Sequence, residues 1–378
     1  MRKIIFFAVC ALLLCAAPPA AAAADIPQFD AQSALLLDGA SGQVLFEQNA
    51  DAKCYPASVT KIMTLALILE AVNSGAISKD DTVSVSEEAA AMGGSQVYLY
   101  PGEVRSVDEM LIAIAVGSGN DASYAMAEFI GGTMAGFVQM MNDKAAELGM
   151  NDTHFVNPHG LHDDEHYTTA ADLGKLAYYA VHLDGFLDYT SIYEYQFRPE
   201  PKPLVLWNTN RLLKWYEGTD GLKTGYTEEA GRNLVATAER EGMRLISVIL
   251  GCQQRQGHFT ESMELLNYGF NSFEYYPLFT AGEVVATVPV EKGVADHVNL
   301  YVRDAIGYTA ARGEQAELTH NVEPLPRLTA PLAAEQEAGT LTVYKDGAEL
   351  LSAALYIAND VPRGGVFRLW FKLLRHMW

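Results

Sequence analysis

The chain has 378 residues, enough for two or three domains and a sizeable buried core. Its 49% hydrophobic and 19% charged residues exclude a wholly disordered chain, and 31 glycines without a Gly-X-Y period exclude a collagen. With 26 Lys and Arg against 47 Asp and Glu the net charge is −21, which repels phosphate backbones and argues against nucleic acid as a partner.

Arg2 and Lys3 precede an apolar run from Ile4 to about Leu14, and small residues from Ala20 to Ala24 follow. This order reads as a secretory signal over residues 1–24, its apolar core being shorter than the ~20 residues a membrane span needs. Cys10 and Cys15 leave with it. Cys54 and Cys252 remain, too few for a disulfide scaffold; they read as buried free thiols, and a bridge between them requires a proximity that sequence does not show.

Ala34–Asp38 and Gln43–Phe46 flank a Gly/Ser turn and predict a β-hairpin. Ser58 to Val72 opens on a serine and is apolar nearly all round, as a helix buried on several sides is. Helical patterns follow at Val107–Val116, Ala122–Ile130, Thr133–Leu148 and Thr169–His182. Strand patterns then occupy Leu222–Tyr226, Leu234–Ala238 and Leu245–Leu250, and a helix over Thr260–Tyr268 closes the unit near Pro277. Strands, then helices, then strands predict an α+β domain with a helix cluster on an antiparallel sheet. Beyond Gly282, short segments such as Val284–Val288 and Leu341–Tyr344 predict a smaller β-rich domain over 278–362. From Val366 to Trp378, Arg368, Lys372, Arg375 and His376 share one arc of a helix and apolar residues take the rest. Residues 363–378 therefore predict an amphipathic helix that lies on a membrane surface.

Three short motifs carry chemistry. Ser58-Val59-Thr60-Lys61 sets a hydroxyl at a helix start and an amine one turn on, a nucleophile beside a base if burial lowers the lysine pKa. Ser118-Gly119-Asn120 falls in a break between helical stretches. Lys223-Thr224-Gly225 lies on the first strand of the later group, where Gly221 and Gly225 let a ligand approach the backbone. Each motif alone is weak: the first is also an N-cap serine followed by a surface lysine, and the others are also a loop and a strand end. In the order S-x-x-K, S-x-N, K-T-G they match the signature of penicillin-recognising serine acyltransferases.

Tyr55-Pro56-Ala57-Ser58 through Thr64, Asn151 to Phe155 with Gly160-Leu161, and Asp220 to Thr227 resemble the D-alanyl-D-alanine carboxypeptidases, the low-molecular-mass penicillin-binding proteins. The resemblance covers nearly the whole chain. It implies a β-lactamase/transpeptidase-like catalytic domain over 25–277, a peptidoglycan stem-peptide substrate, β-lactam inhibitors, and no metal or other cofactor. It implies Ser58 as nucleophile, Lys61 as base, Ser118 as proton relay and Asn120 as the support of Lys61 and the substrate amide. Lys223 and Thr224 would meet the substrate carboxylate beside Gly225, and the N–H groups of Ser58 and Tyr226 would form the oxyanion hole. The arginine expected just before the closing helix, near Glu261-Ser262, is not evident; the neighbourhood offers Arg255 and His258.

His159, His162 and His166, interleaved with Asp163, Asp164 and Glu165, fit no established metal spacing and read as a polar, acidic loop. A class A-like β-lactamase is disfavoured because no E-x-x-L-N lies between the second and third motifs. A non-catalytic cell-wall-binding module is disfavoured because the motif residues are intact. A DD-endopeptidase acting on cross-links uses the same residues and stays open.

Overall fold

The computed structural model describes residues 26–199, 202–314 and 317–365. The expected signal and the tail from residue 366 lie outside the described residues.

The first unit is built on a five-stranded antiparallel sheet in the order β2-β1-β9-β8-β7. Its strands are β1 (Ser33–Asp38), β2 (Val44–Gln48), β7 (Thr219–Thr227), β8 (Gly231–Arg240) and β9 (Met243–Cys252). The expected hairpin is β1 and β2, with a bulge between Leu36 and Leu37. Between the two groups of strands run α1 (Lys61–Asn73), β3 (Thr82–Ser84), α2 (Glu87–Ala90), β4 (Val104–Ser106), α3 (Val107–Ala115), α4 (Asn120–Gly131), α5 (Met134–Glu147), α6 (Ala170–Val181), α7 (Phe186–Thr190), β5 (Glu194–Arg198), β6 (Leu204–Trp207) and α8 (Leu212–Trp215). Local chemistry fixes the helix starts. Ser106 and Glu109 form a reciprocal capping box on α3, and the Thr169 hydroxyl accepts from Asp172 N at the start of α6.

Both faces of the sheet are covered, because successive side chains of a strand point to opposite sides. Leu35 and Leu37 join Ile62, Met63, Leu173 and Leu176 in the large core under α1, α3, α4 and α6. Ala34 and Leu36 face the other way, packing with Leu265, Leu266 and Phe270 of α9 (Gly257–Ser272). The closing helix is thus longer than the Thr260–Tyr268 pattern, and it covers that face together with Phe29, Leu212 and Tyr216.

The second unit is a β domain. Strands β11 (Val284–Pro289), β12 (His297–Val302), β14 (Leu318–Pro324), β15 (Glu337–Lys345) and β16 (Ala348–Ile357) pair in the order β11-β12-β16-β15-β14, around Leu300, Leu341, Leu355 and Ile357. The junction expected near Pro277 falls within β10 (Phe273–Phe279), which follows α9 directly and pairs with β13 (Ile306–Ala311). There the Thr309 hydroxyl donates to Asp38 Oδ1 at 2.7 Å, both residues being fully buried. Among the described residues no helix is long and apolar enough to cross a membrane.

Candidate active site

The segment expected to be helical from Ser58 starts differently. Ala57–Thr60 form one 3-10 turn and α1 begins at Lys61. Ala57 sits at φ 50°, a left-handed conformation an α-helix does not accept, so the chain tightens before α1 opens. Ser58 lies on this turn half-buried, with Lys61 fully buried behind it.

Lys61 Nζ stands 3.0 Å from Ser58 Oγ, 2.7 Å from Asn120 Oδ1 and 2.6 Å from the His159 carbonyl oxygen. Burial, then the charge of Lys223, holds the Lys61 pKa well below the usual lysine value. A neutral amine has two N–H donors and one lone pair. In the neutral form the Asn120 and His159 carbonyl oxygens would take both donors and leave the lone pair toward Ser58 Oγ.

Asn120 opens α4 rather than lying in the break before it, and Gly119 is the N-cap. Its Nδ2 donates to the Gly93 carbonyl at 2.7 Å while Oδ1 accepts from Lys61, which fixes the amide orientation. Ser118 precedes it, buried, with φ 55°. On β7, Lys223 is buried; its Nζ lies 3.4 Å from Thr209 Oγ1 and 3.2 Å from the Thr224 carbonyl, and burial lowers its pKa to about 7. Thr224 Oγ1 donates to Thr209 Oγ1 at 2.6 Å. Edge strand β7 packs against the serine turn: a Cβ on Gly225 would come within 2.7 Å of the Pro56 carbonyl and 3.0 Å of Ser58 N.

A match to the family model described as D-alanyl-D-alanine carboxypeptidase spans residues 20–254, and one described as the C-terminal domain of penicillin-binding protein 5 spans 273–363. The chain belongs to the D-alanyl-D-alanine carboxypeptidase family. It is 40% identical over 338 residues to the carboxypeptidase DacF of Bacillus subtilis, covering 89% of this chain and 87% of that one. Against DacA of Escherichia coli strain K12 it is 35% identical over 368 residues, with 93% and 90% covered. Among solved structures, penicillin binding protein 5 from Haemophilus influenzae is similar with a TM-score of 0.69 and 34% identity, covering 89% of this chain and 99% of that one. Penicillin-Binding Protein D2 from Listeria monocytogenes in its ampicillin-bound form is similar with a TM-score of 0.58 and 33% identity, covering 65% and 100%.

Within this carboxypeptidase fold, several residues the motifs did not point to hold the serine turn. Asn233 on β8 donates to the carbonyls of Tyr55 at 2.8 Å and Pro56 at 2.9 Å, and accepts from Gly251 N at 2.8 Å. It is a fully buried amide in the apolar strand Leu234–Ala238 enters, and that mismatch was its signal in the sequence. Gly160, at φ 84°, lets the 157–167 loop lie against the turn: a Cβ there would stand 1.8 Å from the Ala57 carbonyl oxygen. The same loop accepts from the Thr64 hydroxyl at the Pro158 carbonyl, 2.6 Å away.

The loop is not polar throughout, as its composition suggested. Asp163, Asp164 and Glu165 are exposed, but His159 and His166 are buried. Val156 N donates to His166 Nδ1 at 3.0 Å, so Nε2 carries the proton and donates to Thr60 Oγ1 at 2.8 Å. Burial above all lowers the pKa of His159 to about 3 and of His166 to about 4. Among the described residues no group of three His, Cys, Asp or Glu side chains is arranged to hold a metal. Cys54 and Cys252 are buried free thiols. Arg255 is exposed, whereas His258 is buried, with Nδ1 unpartnered and its ring tilted against Phe259 at 4.0 Å.

Proposed function

We propose that the chain is a serine-type D-Ala-D-Ala carboxypeptidase in which Ser58 attacks the peptide bond before the terminal D-alanine of a peptidoglycan stem peptide. The observation that carries this reading is the bonding of Lys61 Nζ, which leaves its lone pair free for the Ser58 proton. As Ser58 Oγ bonds to the carbonyl carbon, its proton passes to Lys61. The N–H groups of Ser58 and Tyr226 stabilise the oxyanion. Ser118 relays a proton to the leaving nitrogen, the C–N bond breaks, and D-alanine departs from the acyl-enzyme. Water then cleaves the ester and restores the Ser58 hydroxyl. Asn120 holds Lys61 and the substrate amide, while Lys223 and Thr224, on the strand that continues into Gly225 and Tyr226, meet the terminal carboxylate. A β-lactam acylates Ser58 by the same attack.

The sequence supports an exported enzyme, freed of residues 1–24, that stays at the outer face of the cytoplasmic membrane through residues 363–378. The periplasm or cell-wall space is then its working compartment. Incubation with a pentapeptide ending in D-Ala-D-Ala should release D-alanine, measured by mass. Labelled penicillin should mark the wild type and leave Ser58→Ala unlabelled; labelling of the variant would overturn the assignment.

A further inference from the structure

Residues 92–103 run beside the start of α4 without belonging to a strand, yet Val97 and Leu99 are buried and Tyr98 between them is exposed, which is the alternation of a strand. Tyr98 stands at φ 55°, a left-handed backbone that a bulky residue keeps only where its surroundings dictate it.

Two side chains dictate it. From the helix side Asp121 accepts at both carboxylate oxygens, from Val97 N at 3.1 and 3.2 Å, from Leu99 N at 3.0 Å and from Ala122 N at 2.9 Å. From the other side Arg198 on β5 donates to the carbonyls of Val97 at 3.1 Å and Tyr98 at 2.7 Å. The segment is thus bonded as a strand would be, with a carboxylate on its N–H groups and a guanidinium on its carbonyls. Asp121 is 1% exposed, and since both its oxygens accept, an amide in its place would set an NH2 against an N–H donor.

What this strap holds is the neighbour of Asp121. The Gly93 carbonyl accepts from Asn120 Nδ2 at 2.7 Å and the Ser95 carbonyl from Asn120 N at 2.8 Å. A Cβ on Gly94 would stand 2.7 Å from Asn120 Nδ2, so the backbone lies directly on the amide. With its donors engaged there, Asn120 turns Oδ1 to Lys61 Nζ.

We propose that Asp121 is a positioning residue for acylation that acts through Asn120: with Arg198 it pins the 93–99 strap, and the strap's carbonyls hold the Asn120 amide against Lys61. This rests on the carboxypeptidase reading of Ser58 and deepens it, because it names what orients the partner of the base.

The test is a double-mutant cycle on the rate of acylation by labelled penicillin, expressed per site finally labelled so that unfolded protein does not count. Asp121→Asn should slow acylation on the order of 30- to 100-fold, the effect of a displacement of about 1 Å, and Asn120→Ala should slow it at least as much. Adding Asp121→Asn to Asn120→Ala should cost no more than about threefold further, because the amide that Asp121 positions is already gone. A merely structural role would multiply the two effects, and that result overturns the proposal. So does an Asp121→Asn variant that acylates within about threefold of the wild type. Should Asp121→Asn not fold, Arg198→Gln frees the same strap from its other side. It should slow acylation about tenfold alone and leave the Asn120→Ala rate unchanged; no slowing, or multiplied effects, overturns the proposal. A wild type that penicillin does not label fails the Ser58 reading instead.

Discussion

Gly160→Ala tests whether the 157–167 loop sets the position of the nucleophile. The added methyl would stand 1.8 Å from the Ala57 carbonyl oxygen, 2.3 Å from its carbon and 2.9 Å from Ser58 N, where real Cβ contacts essentially never fall below 3.0 Å. The loop and the serine turn must therefore part by more than an ångström. Two costs follow, and they can be separated. Holding alanine at φ 84° costs about 1–2 kcal/mol of stability. Displacing Ser58 by about 1 Å from Lys61, itself held by the His159 carbonyl of the same loop, should slow acylation on the order of 100-fold. Gly75→Ala is the matched control, because Gly75 sits at φ 75° with nothing within 4 Å of a Cβ. It should lose comparable stability in a urea titration while its acylation rate by labelled penicillin stays that of the wild type. If Gly160→Ala acylates within twofold of Gly75→Ala, the loop does not position Ser58 and the reasoning fails.

Lys61→Arg puts there a basic group that cannot give up a proton near neutral pH, so acylation should fall by several orders of magnitude; near-normal stopped-flow rates would contradict the base role. Asn233→Ala leaves the Tyr55 and Pro56 carbonyls and Gly251 N without that partner in a buried place, which should cost roughly 3 kcal/mol or more in urea unfolding, against less than 1 kcal/mol if water replaces the amide. His159 and His166, with pKa values lowered to about 3 and about 4, bind fewer protons folded than unfolded across the window from about pH 4 to 6.5. Stability is therefore fully present above pH 6.5 and falls as pH drops, by up to about 1.4 kcal/mol per pH unit for each histidine, and His166→Gln should flatten the urea midpoint against pH. A chain ending at Pro362 should lose co-sedimentation with anionic vesicles yet still hydrolyse soluble peptide; retained vesicle binding would move the anchor elsewhere.

Much of this architecture is written in local patterns. The β1–β2 hairpin, the apolar α1 and the capped α6 announce themselves through turn residues, periodicity and a threonine start, because those signals act within a few residues. The start of α1 was not legible: Ser58 reads as a helix N-cap, and the left-handed Ala57 that makes it a 3-10 turn answers to Gly160, about a hundred residues away. The buried state of His159 and His166 was hidden for the same reason, since their burial is decided by Thr60 and Lys61 packing against a loop of acidic composition. Asn233 was visible only as an amide in an apolar strand. The Ser58–Lys61 pair was easier to read than its support, because two residues one turn apart are local, while the groups that hold them come from the sheet and a distant loop.

The bond between Thr309 and Asp38 bears on how the enzyme meets its polymer. Asp38 also accepts from the Ser41 backbone N–H and hydroxyl, so one buried carboxylate ties the β1 turn to β13. Swivelling the β domain about β10 would strip a partner from that carboxylate in a dry place, a cost of about 1–3 kcal/mol or more. The Thr309–Asp38 bond therefore opposes rotation of the second unit about β10 and biases the two units toward one mutual orientation.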